Sequence, residues 1–138
     1  MRIVLLTLLS ALLASSLFAA NTTEQSKLSS DMRTMLSAMV DIQRAGYYLN
    51  KAGVKEGADR LIKSLDSLLT TDPTSYLPDD KVNAGKFAKK REQMLKLYAQ
   101  ELILAVENED TDEAMSNYTL IINECTSCHS RIRTRAWK

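Results

Sequence analysis

The chain has 138 residues, 45% of them hydrophobic and 25% charged, with 18 basic and 17 acidic side chains. That length suits one domain. The near-neutral balance leaves no basic stripe of the kind nucleic acid or an anionic membrane surface would select. Four glycines and two prolines are few, which favours helices over sheets.

Residues 1–20 read as a secretory signal peptide. Arg2 gives a positive start, Ile3 to Leu13 is apolar apart from Thr7 and Ser10, and small residues lead to Leu17-Phe18-Ala19-Ala20. This pattern predicts export, with cleavage near Ala19 or Ala20. A membrane anchor is the alternative, but the apolar run is short against the roughly 20 residues of a span. Cleavage removes one basic residue, Arg2, and leaves 17 of each sign over residues 21–138. Export also places any free cysteine pair in a compartment that favours disulfides.

The first helix is expected from about Ser26 to Asn50, capped by Ser29, Ser30 or Asp31. Leu28, Met32, Met35, Met39, Ile42, Gly46 and Leu49 alternate at spacings of four and three, a narrow apolar stripe of bundle type. Gly53 breaks the pattern. A second helix from about Lys55 to Leu69 carries Val54, Ala58, Leu61, Leu65 and Leu68 in the same rhythm. The short loop between the two predicts antiparallel neighbours.

Residues 70–83 are the longest connection. Thr70-Thr71-Asp72-Pro73 stops a helix, and Pro78-Asp79-Asp80 can start one. A third helix is expected from about Asp80 to Asn108, with Ala84, Phe87, Ala88, Leu95, Tyr98, Leu102 and Ala105 among its inner residues. Lys86, Lys89, Lys90, Arg91 and Lys96 read as a basic outer face, either solvated or a docking surface for an acidic redox partner. Asp110 and Glu113 resemble a capping box. They open a fourth helix from about Thr111 to Arg135, whose stripe is Ala114, Tyr118, Ile121, Cys125, Cys128 and Ile132. The predicted fold is all-α, an antiparallel four-helix bundle.

The fourth helix carries Cys125-Thr126-Ser127-Cys128-His129, and the chain's only two cysteines and only histidine lie inside it. C-x-x-C-H is the attachment pattern of covalent haem c, in which two thiols add to the porphyrin vinyl groups and the imidazole ligates iron. On a helix the three side chains share one face. A thiol redox site would want the pair at a helix N-terminus beside a βαβ unit. Structural zinc would want a fourth protein ligand. A Cys125–Cys128 disulfide in a purely structural bundle is a further alternative.

A haem motif late in an exported four-helix chain resembles the class II c-type cytochromes, the cytochrome c′ family. The likeness covers the layout of residues 21–138. It extends locally to Arg133, which matches the arginine the family places beside the proximal imidazole, whereas Ile132 stands where the family usually has an aromatic residue. The resemblance implies one covalent haem c on Cys125 and Cys128, His129 as axial ligand, a periplasmic location and no enzymatic turnover. Family homodimers pair through the first two helices, which points to Val40 and Tyr47.

The family divides on the sixth iron position. In one branch a Met of the first helix fills it, giving a low-spin electron carrier that works with a redox partner protein. Met32 falls at that position, with Met35 as the alternative. In the other branch iron is five-coordinate and binds diatomic gases such as nitric oxide. Methionines on a stripe also serve as plain core filler.

Overall fold

The computed structural model describes residues 2–77 and 82–132, with side chains given for Thr23 and from Gln25 onward. The fold is all-α: among the described residues the elements are α1 (Arg2–Tyr47), α2 (Lys51–Ser64), α3 (Ser67–Thr70), α4 (Pro73–Tyr76), α5 (Ala84–Glu107) and α6 (Thr111–Ile132). Among those residues no helix is long and apolar enough to cross a membrane.

The long helices lie close to the predicted stripes, but several ends differ. Ser29, Ser30 and Asp31 are not caps. They sit inside α1, where Ser29 accepts from Arg33 and Asp31 accepts from Lys27 at 2.9 Å. No glycine or proline precedes Gly46 in this helix, so nothing in the backbone stops it. Gly53 is likewise not a break. Asn50 caps α2 by accepting from the Gly53 N–H at 3.1 Å, so the helix starts at Lys51 and the connecting turn is shorter than expected.

The second predicted helix ends early. The Ser64 hydroxyl donates to the Leu61 carbonyl at 2.8 Å, and Ser67 donates to the Ser64 carbonyl. Such back-bonding competes with the helical ladder, and the chain bends before Leu68. Asp72 then caps α4, with Pro73 in its first turn and the Thr74 N–H donating to Asp72. The expected start of the third helix at Asp80 falls among residues 78–81, outside those described; α5 itself begins at Ala84.

α1 packs along α2, α5 along α6, and α2 against α5, while α3 bridges α1 and α5 and α4 rests on α5. The α1–α2 seam is built from small residues. A Cβ added at Gly57 would meet Ile42 Cγ1 at 2.6 Å and the Ala38 carbonyl at 3.2 Å, and one added at Gly53 would meet Ala45 Cβ at 2.8 Å. Only glycine permits that approach. Leu61, Leu65 and Ile121 are fully buried, each contributing roughly 1.5–3 kcal/mol.

Two corners share one design. After α1, the Leu49 N–H donates to the Gly46 carbonyl and the Asn50 N–H to the Ala45 carbonyl; after α5, the Glu109 N–H donates to Val106 and the Asp110 N–H to Ala105. Leu49 and Glu109 take the left-handed conformation, with φ of 52° and 62°. This is a Schellman ending, followed at once by an Asn50 or Asp110 cap. Asp110 accepts from the Glu113 N–H at 2.9 Å, but the Glu113 carboxylate turns to Asn117, so only half of the expected capping box forms. Lys51 pairs with Glu109 at 2.5 Å, and Lys55 pairs with Glu107, tying the corners together across exposed surface.

Candidate functional site

α6 and α1 supply the two walls of a cavity of about 500 Å³. On α6 the lining side chains are Tyr118, Ile122, Cys125, Thr126, Cys128, His129 and Ser130. On α1 they are Met32, Met35, Leu36 and Met39, and Leu68, Arg91 and Leu95 close the sides. Cys125, Cys128 and His129, singled out by the motif, and Met32 and Met35, singled out by the family resemblance, therefore line one cavity. Arg133 lies outside the described residues.

The two walls approach each other less closely than the packed pairs α1–α2 and α5–α6. α1 packs closely on α2 and α6 on α5, and Ile121 of α6 shares one core cluster with Met35, Ala38 and Ile42 of α1. The volume falls within the roughly 300–1,000 Å³ of ligand and cofactor sites, and the mostly apolar lining with a few convergent polar groups is also characteristic. Leu36 is 67% exposed and Ile122 42% exposed, large apolar side chains left uncovered on opposite walls. Met35 and Cys128 are buried, Met32, Met39 and Cys125 half-buried, and His129 exposed.

The electrostatics favour neutral thiols. Burial pushes Cys125 up to about 11, reinforced by Cys128 and Glu124 and opposed by a backbone hydrogen bond. Burial also raises Cys128, against the pull of Arg91 and Arg131. A redox thiol pair requires the reverse, a depressed pKa at a helix N-terminus, whereas this pair sits late in α6. Both cysteines are free thiols in the structure. Burial likewise raises the Tyr118 hydroxyl, with Tyr47 adding to the effect.

Arg91 corrects the sequence reading. It was expected on the basic outer face of the third helix, but it turns inward. Its Nη1 lies 2.5 Å from Glu124 Oε2, with both side chains 14% exposed, and it donates to Ser127 Oγ at 3.3 Å. A guanidinium on a long stem can fold back across a helix flank. The available signal was Glu124, an acid beside the cysteine stripe that needs a cationic partner. Leu68 also reaches the cavity, through the bend at Ser64–Ser67.

The donor set fits the group expected from the motif. Two thiols and an imidazole share one wall, thioether sulfurs stand on the other, and Arg91 Nε is buried with no hydrogen-bond partner. No protein-family model, no curated protein and no solved structure matches this chain.

Proposed function

We propose that the protein is an exported, periplasmic monohaem c-type cytochrome of the class II kind, acting as a one-electron carrier to a redox partner protein. In this reading the four long helices form an antiparallel bundle. The pairings Ala45 with Gly53 and Ile42 with Gly57 on one side, and Arg91 with Glu124 on the other, support that arrangement. The observation that carries the function is the cavity: cysteine, cysteine and histidine on one helix line it together with methionines of another.

Cys125 and Cys128 would tether the porphyrin as thioethers, and His129 would give its imidazole to iron. Met32 is assigned the sixth position, with Met35 the alternative. The bound haem supplies a one-electron change at iron, and a thioether ligand tends to raise its potential. The protein's part is to hold and shield. Leu36, Met39, Leu68, Leu95 and Ile122 exclude water from the apolar faces, and neutral cysteines avoid burying charge. Arg133, next to the proximal imidazole in the family, would act on its basicity. A homodimer through α1 and α2 would use Val40 and Tyr47, which are 45% and 72% exposed.

Mass spectrometry of the mature protein tests the reading. One haem should be added, and Cys125→Ala or Cys128→Ala should weaken or abolish the addition. A colourless protein with a Cys125–Cys128 disulfide would sink it. The apolar α1 wall also suits a five-coordinate gas-binding haem, and the spectrum separates the two. A low-spin ferrous form indifferent to carbon monoxide marks the carrier; a high-spin form that binds it marks the gas binder. Met32→Ala should convert low spin to high spin, and no change would move the assignment to Met35.

A further inference from the structure

We infer that Arg91 and Glu124 form a mutually compensating charge pair that sets the reduction potential of the group held by Cys125, Cys128 and His129, with Arg91 a positioning residue and not a ligand. This role presupposes the cytochrome reading. Among the basic residues of α5, Lys86, Lys89, Lys90 and Lys96 are exposed, whereas Arg91 lines the cavity. Its contacts fall on the attachment segment itself. Glu124 immediately precedes Cys125, and Ser127 lies between the two cysteines. The Arg91 guanidinium also lies over the Phe87 ring, 5.2 Å from its centroid, and Arg131 lies over the same ring at 4.2 Å.

Burial separates this pair from the other ion pairs recorded among the described residues. Its side chains are 14% exposed, against 39% and 38% for Arg60 and Asp41. An exposed pair is screened and contributes little. A pair largely withdrawn from water is costly to desolvate, and removing one partner leaves the other uncompensated. Its field also acts over a longer range, because the medium around it screens poorly. A positive charge beside a redox centre favours the electron-rich state, and a negative charge disfavours it. With both present the effects offset. Each one alone should move the potential, and in opposite directions.

That sign difference is what a merely structural role would not produce. Arg91→Met keeps the apolar stem and removes the charge, Glu124→Gln keeps the shape and removes the charge, and Arg91→Lys retains a cation. Each is made in the mature, haem-loaded protein, with haem per chain counted by mass, spin state read from the visible spectrum and midpoint potential measured by redox titration. The expected result is a lower potential for Arg91→Met, a higher one for Glu124→Gln, and a double variant between the two singles. Arg91→Lys should stay nearer wild type than Arg91→Met. Shifts of the same sign, or no shift with haem attached and spin state unchanged, overturn the inference alone. A wild type without haem overturns the cytochrome reading and this role with it. Should Arg91→Met fail to accumulate, Glu124→Gln decides: a rise supports the role, and a fall or no change ends it.

Discussion

α1 has two working faces, and they are built to opposite rules. Toward α2 it presents Ala38, Ile42 and Ala45, met by Gly53, Gly57 and Ala58, so that backbones approach until a single added carbon collides. Toward α6 it presents Met32, Met35, Leu36 and Met39, and a cavity intervenes. Small residues specify a closed seam by leaving no room for alternatives. Methionines line the open seam, and an unbranched thioether adapts to the shape placed against it. Within one helix, the residue sizes distinguish the closed face from the face that borders the cavity.

Truncation should separate the faces most strongly. Leu61→Ala removes a fully buried side chain beside the closed seam and is expected to cost about 2–5 kcal/mol. Leu36→Ala, on the open face, should change stability by no more than about 0.5 kcal/mol. Urea denaturation of the two variants checks the contrast, and equal losses would erase it.

A single methyl group gives the next effect. Gly→Ala in a helix ordinarily stabilises by about 0.5–1 kcal/mol. Gly46→Ala should do so, since nothing lies within 4 Å of the added carbon. Gly57→Ala should reverse the sign and cost about 1–3 kcal/mol through overpacking. Thermal melts of both variants should therefore move in opposite directions.

If the cavity takes haem as proposed, loading should strengthen one face selectively. Amide exchange in residues 32–39 and 118–130 is expected to slow about tenfold or more between haem-free and haem-loaded protein, equivalent to roughly 1.4 kcal/mol. Residues 53–61 should change much less. Uniform slowing would mean that the seams are not independent.

The smallest effect is at Tyr76, whose hydroxyl donates to the Leu68 carbonyl at 2.5 Å. Burial, then Cys128 and Asp72, push its pKa up to about 12 from an ordinary 10.0. The fold thus favours the protonated phenol. Its contribution is complete below pH 10 and is lost as pH rises toward 12. Tyr76→Phe should cost about 1 kcal/mol at pH 8 and should flatten the alkaline decline, measured by denaturation at pH 8 and pH 11.

The four long helices and the shared face of Cys125, Cys128 and His129 were legible in the sequence because both depend on spacing within one segment. Cys125, Cys128 and His129 share a face through positions three and four apart, and Met32, Met35 and Met39 do the same. The helix ends were less legible. Gly53 looked like a breaker, but Asn50 caps ahead of it and the glycine serves α1, a contact local pattern cannot reveal. The bend at Ser64 depends on two hydroxyls turning back to carbonyls inside a run that otherwise reads as continuous helix. Arg91 was misplaced for a similar reason: a cation among lysines belongs to the surface until its partner on another helix is known.

The paired corners at Leu49–Asn50 and Glu109–Asp110 bear on kinetics. The two stand sixty positions apart, and each closes on hydrogen bonds no more than five residues long. Neither turn therefore needs the other in order to form. Contacts this local in sequence are associated with fast folding, and docking of one helix pair on the other would follow. Stopped-flow measurements should then find corner variants such as Asn50→Ala and Asp110→Ala slowing folding, and Thr74→Ala, in the connection, mainly hastening unfolding. The helix that carries Cys125 and Cys128 would be oriented by its own turn before the methionine wall arrives.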